Sequence, residues 1–269
     1  MKSLFLTPLE ISRAISDIGE KKANEGIFEL FVFGVLAGIY IAFGAVVATS
    51  VLSGGTLDTG LARFLAGSVF SVGLILVLIL GSELFTGNIL MTIGLIYQRY
   101  SCAKVLRNWL VVYLGNLSGS IIIAWLVAKS GLLSDASGLT PIWATALKIA
   151  EAKLQLGFIE ALCRGILCNM LVCMAVIMCV ASRTIEGKIL GIYFPIMKFV
   201  ASGYEHSVAN MYFLPAGLMA KGEFVSRFFI IFNNLIPVTI GNIIGGLLIV
   251  LLHPKVQERI AHILIKGSN

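Results

Sequence analysis

Two long apolar segments of this chain are each interrupted midway by a short polar segment. The first polar segment is Gly81–Asn88 and the second is Ser202–Asn210, and each contains a glutamate (Glu83, Glu205) five positions before its last asparagine. Charged and hydroxyl groups inside a membrane segment are costly, so they mark the path of a polar solute. Interrupted apolar segments at corresponding places in two halves point to a site at the membrane midplane. The pattern predicts a channel or transporter.

Composition also indicates a membrane protein. Of the 269 residues, 58% are hydrophobic and only 13% are charged, whereas a soluble domain has about 25% charged residues. Five uncharged runs can each cross a hydrocarbon core, which takes roughly 20 helical residues. These runs are Leu30–Leu57, Phe64–Ser82, Asn108–Ala128, Gly165–Ser182 and Phe228–Leu252. With the segment Ile189–Ala220 we expect an all-α protein of six transmembrane elements, the second and fifth each split into half-helices.

We expect three regions along the chain. An amphipathic N-terminal helix over 1–26 precedes a channel domain over 27–253, and a tail covers 254–269. The N-terminal helix is expected on the membrane surface or against a neighbouring subunit, and it lacks the pattern of a cleavable signal. The distribution of Lys and Arg predicts that both termini are cytoplasmic, in the cytoplasmic (inner) membrane. The net charge of +6 requires no nucleic-acid partner.

Three ordered matches indicate that the chain is duplicated. At offsets of 131, 122 and 126 positions, Gly34 matches Gly165, Glu83 matches Glu205, and Asn116 matches Asn242. The two repeats cover about 27–128 and 154–253. Because each repeat has an odd number of spans, the second must be inverted, and this 3+3 arrangement brings both polar segments to the midplane. Asn116 and Asn242 are expected to hydrogen-bond unsatisfied backbone across helices.

The broken helices define the chemistry that we expect. A helix broken inside a membrane leaves N–H and C=O groups that protein or a water-lined cavity must satisfy, and we expect Glu83 and Glu205 to accept such N–H bonds. The half-helices after each break direct their partially positive N-termini to the centre, which favours an anion. Thr86 supplies a hydroxyl at this level, and His206 supplies an imidazole, a group whose charge ordinarily changes near neutral pH.

Several other functions have little support in the sequence. Two of the three histidines, His253 and His262, lie at or beyond the end of the last span, so no metal site is expected. The five cysteines show no C-x-x-C spacing and are expected to be apolar packing residues. No nucleotide-binding loop occurs, and we expect no cofactor and no enzymatic activity. Glu160 and Arg164 have the spacing of a helical ion pair.

Motifs along nearly the whole chain resemble those of the formate/nitrite transporter family. They are Gly81–Thr86, Ala150–Lys153 followed by Phe158–Ala161, Gly165–Asn169 and Ala201–Met211. The resemblance implies an aquaporin-like fold in the lipid bilayer, assembled as a homopentamer. It also implies one pore per subunit that conducts small monovalent anions.

The resemblance further implies roles for individual residues. The central histidine falls on His206, the vestibule lysine on Lys153, the threonine at the break on Thr86 and the pore asparagine on Asn169. The apolar constrictions fall on Phe70, Leu74, Leu84, Val172 and Phe199, and the broken helices are supported by Glu83, Asn88, Glu205 and Asn210. Lys153 is expected to concentrate anions at the mouth. Our hypothesis is that His206 and Thr86 hold the anion and that His206 lends it a proton, because a bare ion crosses apolar constrictions at high cost.

Formate, nitrite and hydrosulfide all remain candidate substrates. Arg164 and Lys198 stand where the formate channels usually have uncharged residues, which favours the hydrosulfide branch. One alternative is an aquaporin-type channel for neutral solutes, although neither polar segment contains the Asn-Pro-Ala triplet. A cation-coupled secondary transporter, with Glu83 and Glu205 as cation ligands, is another. The third is a membrane-embedded scaffold that moves no solute.

Overall fold

The computed structural model describes residues 3–55, 57–132, 134–135 and 138–267, and these are largely helical. Residues 1–2 and 268–269, the ends of the two expected terminal regions, lie outside the described residues. The helices are α1 (Pro8–Asn24), α2 (Ile27–Leu52), α3 (Thr59–Leu80), α4 (Phe85–Asn88), α5 (Thr92–Ile96), α6 (Cys102–Lys129), α7 (Pro141–Leu154), α8 (Phe158–Ala181), α9 (Ile185–Ala201), α10 (Ser207–Ala220), α11 (Phe232–Leu252) and α12 (Pro254–Gly267). Two 3-10 helices, Ile89–Met91 and Phe228–Ile231, precede α5 and α11, and two short strands, β1 (Ser134–Asp135) and β2 (Gly138–Leu139), pair antiparallel.

Five helices are long and apolar enough to cross a membrane. They are α2, α3, α6, α8 and the continuous helix Phe228–Leu252 that includes α11, and they coincide with the five uncharged runs. The sixth apolar segment forms α9 and α10. A shorter apolar helix, Phe85–Ile96, begins within the first polar segment. The expected all-helical architecture of a membrane protein is therefore confirmed.

The long helices pack side by side around a buried interior. Helix α2 contacts α3 and α6, α3 contacts α9, and α8 contacts both α9 and α11. Glycines permit close crossings: a Cβ atom at Gly115 would lie 2.6 Å from the Phe31 carbonyl oxygen, and one at Gly165 would lie 2.8 Å from the Val238 carbonyl oxygen. Helices α4 and α10 lie inside, and most residues of α10 are buried.

Both polar segments break their helices at a glycine in the left-handed region. Gly81 has a φ of 80° and Gly203 a φ of 72°, and no atom lies within 4 Å of the place where a Cβ would stand on either. Glycine adopts this conformation without steric cost. After each turn the chain runs extended for a few residues and then begins a new helix, α4 at Phe85 or α10 at Ser207.

The N-terminal helix α1 and the central helix α7 lie at opposite ends of the bundle. Helix α2, 26 residues long, begins next to α1 and spans about 39 Å; its last turn lines a cavity together with α7. We call these ends the α1 face and the α7 face. Helix α1 packs on this chain's own bundle, where Leu6 N–H donates to Ala181 O at 2.8 Å and Arg107 donates to Ala23 O at 3.0 Å. The polar side chains of Ser12, Lys22 and Asn24 have hydrogen-bond partners on other helices and at the end of α11, so α1 packs as a part of the bundle.

Candidate functional site

The start of α4 is bound by the side chain of Asn116 on α6. Phe85 N–H donates to Asn116 Oδ1 at 3.0 Å, and Asn116 Nδ2 donates to the carbonyl oxygens of Gly34 and Glu83 at 2.8 and 2.9 Å. Asn116 is fully buried. One amide therefore satisfies a first-turn N–H and the Glu83 carbonyl group of the break, and it also ties this break to the Gly34 carbonyl of α2.

Asn242 on α11 binds the start of α10 in the same way. Ser207 N–H donates to Asn242 Oδ1 at 2.9 Å, and Asn242 Nδ2 donates to Gly165 O at 2.8 Å and Glu205 O at 3.0 Å. The expected cross-helix role of the two asparagines is confirmed. The expectation that the Glu83 and Glu205 carboxylates accept these first-turn N–H bonds is wrong, because both carboxylates face lysines.

Glu83 forms a closed hydrogen-bonded cluster with Lys22 at the α1 face. Lys22 Nζ lies 3.0 Å from Glu83 Oε1 and donates to Asn88 Oδ1 at 2.7 Å. Asn88 Nδ2 donates to Glu83 Oε2 at 2.7 Å and to Asn108 Oδ1 at 2.8 Å. The lysine comes from the last turn of α1, which makes this helix a part of the site.

Glu205 forms the corresponding cluster with Lys153 at the α7 face. Lys153 Nζ donates to Glu205 Oε1 and Oε2 at 2.9 and 3.0 Å, and Asn210 Nδ2 donates to Glu205 Oε2 at 2.6 Å and to Asn234 Oδ1 at 2.7 Å. Asn234 Nδ2 donates in turn to Lys153 O. The charge of Lys153 is therefore compensated by Glu205, and the lysine is not an isolated positive charge.

Sequence reasoning missed Lys22, Asn108 and Asn234. The signal was present in the repeat offsets: Lys22 and Lys153 are 131 positions apart, as are Gly34 and Gly165. Asn108 and Asn234 are 126 positions apart, which is the offset from Asn116 to Asn242. Extending the repeat beyond the apolar segments would have revealed both pairs.

Thr86 and His206 meet at the centre of the bundle. Thr86 Oγ1 lies 2.8 Å from His206 Nε2, and Ala209 N–H donates to His206 Nδ1 at 3.1 Å. Since Nδ1 accepts, a neutral ring carries its hydrogen on Nε2 and donates it to Thr86 Oγ1, a tautomer assigned from the hydrogen bonds. The Thr86 hydroxyl hydrogen then remains free to donate to a solute.

Three cavities lie in a row through the bundle. The central chamber, of about 10 Å³, is lined by the five predicted constriction residues together with His206, Ile41 and Ile196. The α7-side vestibule, of about 140 Å³, contains Lys153 and Glu205 and shares Phe70, Phe199 and His206 with the chamber. The α1-side vestibule, of about 550 Å³, contains Lys22 and Glu83. The two vestibules, each with a lysine–glutamate pair, lie on either side of a narrow and mainly apolar chamber.

The chamber is closed toward the α7 face by two aromatic rings. Phe70 and Phe199 pack edge to face with their centroids 5.7 Å apart, and the Phe199 centroid lies 5.8 Å from that of His206. Both phenyl side chains are almost fully buried. Phe70, Phe199 and His206 line both the vestibule and the chamber, so these three side chains separate the two cavities.

Three other predicted residues lie away from the row of cavities. Asn169 is buried behind Thr86 and donates to Thr86 O at 3.2 Å and to Asn242 O at 2.6 Å. Arg164 is half-buried and Lys198 is exposed, and neither belongs to the described residues that line the three cavities.

The predicted ion pair of Glu160 with Arg164 is wrong. Glu160 Oε2 instead accepts Gly157 N–H at 3.1 Å and thereby caps α8. Within the described part of the chain, the Arg164 side chain forms no ion pair. A first-turn carboxylate close to free N–H groups is stabilised there without a cationic partner.

The fold and this site together define an integral membrane protein of the channel or transporter class. A sequence model of the formate/nitrite transporter family matches residues 9–255. The chain belongs to the formate/nitrite transporter family.

Individual relatives agree with this assignment. The chain is 43% identical over 266 residues to a probable formate transporter of Methanothermobacter thermautotrophicus, covering 93% of this chain and 96% of that protein. It is 38% identical over 265 residues to the formate channel FocA of Haemophilus influenzae, covering 91% and 92%. Among solved structures, a pentameric formate channel with formate bound superposes with a TM-score of 0.71 at 33% identity over 83% of this chain and 94% of that one. An ion channel of the same family superposes with a TM-score of 0.79 at 29% identity, and the match covers 88% of this chain and 94% of that one.

Proposed function

We propose that this protein passes formate and similarly small monovalent anions of weak acids across the membrane through the row of cavities. Nitrite and hydrosulfide have the same charge and similar size, so they remain candidate substrates. Arg164 and Lys198 lie off the pathway, so they give the hydrosulfide branch no support. The names of the most similar relatives favour formate as the first substrate to test.

The observation that carries the proposal is the contact between Thr86 and His206. It joins the N-terminal ends of two short helices inside the bundle, and the first-turn N–H groups of both carry partial positive charge. An anion that reaches this point meets helix ends and a hydroxyl donor. A cation is disfavoured there for the same reason.

The hydrogen bonds of His206 bear on how the anion crosses. A second proton on the ring would have to go onto Nδ1, which accepts the Ala209 N–H, so protonation costs that bond. We therefore propose that a neutral His206 orients the Thr86 hydroxyl, in place of lending a proton itself. The proton that neutralises the weak acid then comes from water in the vestibules. Neutralisation removes most of the cost of crossing the apolar chamber.

We further propose that the two halves form the inverted 3+3 repeat, with α4–α5 and α10 as half-helices directed inward. The matched environments of Asn116 and Asn242 support this arrangement. Insertion with both termini in the cytoplasm would place the α1 face inside and the α7 face outside. Assembly as a homopentamer is proposed by analogy with the similar pentameric formate channel.

The cation-coupled alternative has weaker support. Each glutamate that would serve as a cation ligand is already paired with a lysine and bound to an asparagine amide. A metal ion or sodium ion would have to displace the lysine. We therefore favour anion passage.

Flux measurements with protein-loaded liposomes test the proposal. We expect formate uptake that is independent of sodium and rises as the external pH falls, because more of the acid is neutral. Chloride, whose conjugate acid is fully dissociated at these pH values, should pass poorly. Absence of formate flux, or strict sodium dependence, would contradict the proposal. A His206→Asn variant that conducts formate with the pH response of the wild type would support the orienting role, because a carboxamide can donate a hydrogen bond but cannot lend a proton.

A further inference from the structure

Two isoleucines that the family resemblance did not single out line the central chamber. Ile41 on α2 and Ile196 on α9 are each only 1% exposed, and both face the cavity that contains His206. Their side chains have no hydrogen-bonding groups. Their contribution to the chamber is therefore their volume.

Their positions follow the offsets of the sequence repeat. Ile41 and Val172 are 131 positions apart, as are Lys22 and Lys153. Ile196 follows Leu74 by 122 positions, which is the separation of the two glutamates of the polar segments. The four aliphatic side chains therefore form two matched pairs, and all four line the chamber.

The aromatic residues of the chamber are not matched in this way. The positions that correspond to Phe70 and Phe199 at the same offset are Ile192 and Val77. Neither of these two belongs to the described residues that line the chamber. The phenyl rings close one end of the chamber, whereas the matched aliphatic residues form its side wall.

We infer that Ile41 and Ile196 set the upper size limit of the acid that the chamber admits. This inference rests on the proposed function, because it concerns the same pathway. A chamber of about 10 Å³ has room for little more than one water-sized particle, so even formate must displace side chains slightly. Acetate carries an additional methyl group, and packed interiors resist such an increase in volume. The wall therefore favours one-carbon acids over two-carbon acids.

The test compares acetate with formate flux in liposomes. Ile41→Ala and Ile196→Ala remove wall volume, and we expect the acetate-to-formate flux ratio to rise about tenfold, the low end of discrimination by one methyl group. Ile41→Val and Ile196→Val make smaller changes that preserve packing, and a smaller rise in the same direction is expected. Val172→Ile narrows the wall and should slow formate itself.

Ile192→Val provides the matched control. Ile192 lies on α9 one turn before Ile196 and is fully buried, yet it does not line the chamber. The acetate-to-formate flux ratio of the Ile192→Val variant should equal that of the wild type. The inference is overturned if the valine variants conduct formate with an unchanged ratio, or if Ile192→Val raises the ratio equally. Failure of the proposed function has a different signature, because the wild type itself would then conduct no formate.

Discussion

Thr86 Oγ1 lies 2.8 Å from Nε2 of His206, and this hydrogen bond joins the first turn of α4 to the residue that precedes α10, 120 positions further along the chain. Both residues are almost fully buried, with 0% and 3% exposure. The contact fixes the tautomer of the ring and the direction of the hydroxyl. It lies where the apolar chamber meets the helix starts, and the first prediction concerns it.

We expect Thr86→Val to reduce formate flux about tenfold, because it removes the hydroxyl that His206 orients. A tenfold loss corresponds to about 1.4 kcal/mol, near the upper end of the usual net contribution of one hydrogen bond. Thr86→Ser keeps the hydroxyl and should retain most of the flux. Liposome uptake measures both variants. Equal flux in Thr86→Val and the wild type would show that the Thr86 hydroxyl takes no part in transport.

The asparagines that bind the helix starts should be needed for stability. Asn116→Ala leaves Phe85 N–H and two carbonyl groups without their partner, and we expect it to lower the free energy of unfolding by about 2 kcal/mol. Asn242→Ala removes the same three bonds and should cost a similar amount. Thermal unfolding in detergent compares the two. A large effect of one variant and none of the other would contradict the equivalence of the two sites.

The lysine–glutamate pairs should be tested by single and double substitution. Lys153→Met leaves Glu205, which is 4% exposed, as a buried charge without its cation. Loss of one partner of a buried pair costs about 3 kcal/mol or more, so the melting temperature should fall clearly. Adding Glu205→Gln removes the unpaired charge and should restore most of the stability. If the double variant is as unstable as the single one, the unpaired charge of Glu205 is not the cause of the lost stability. Lys22→Met with Glu83→Gln is the matched test at the α1 face.

Acidification should loosen the beginning of α1. The backbone N–H and then the hydroxyl of Thr7 donate to the Glu10 carboxylate and hold the pKa of Glu10 below its usual value. A lowered carboxylate pKa stabilises the folded helix end above the unfolded pKa, and this stabilisation is lost as the pH falls through the folded pKa. We expect faster hydrogen exchange over residues 7–10 in that acidic range, after correction for intrinsic rates. Glu10→Gln should abolish the pH-dependent part, and an unchanged profile in this variant would contradict the assignment.

Much of the fold could be predicted because apolar runs have few solutions in a membrane. The five uncharged runs form five long helices. Gly81 and Gly203 form the turns at which the two interrupted segments break. The bonds of Asn116 and Asn242 to broken backbone were also predictable. A buried amide beside a helix break has few other partners.

The errors arose where a polar side chain had a choice of partners. Glu83 and Glu205 were expected to bind helix N–H groups, but a lysine from a distant amphipathic helix reaches each of them. Glu160 was expected to pair with Arg164, but the nearer Gly157 N–H satisfies it. Local spacing defines which partners are possible. It does not define which of these partners lies within hydrogen-bonding distance in the folded protein.

The sequence by itself determined the number of apolar helices, the places where two of them break and the residues placed at those breaks, because the cost of exposed backbone in a membrane leaves few alternatives. Only the tertiary structure decided that Lys22 of α1 completes a site like that of Lys153, and that Ile41 and Ile196 share the chamber with His206. These contacts join segments far apart in the chain. They depend on how closely whole helices pack, and that is set by the sum of many weak contacts and by no single motif.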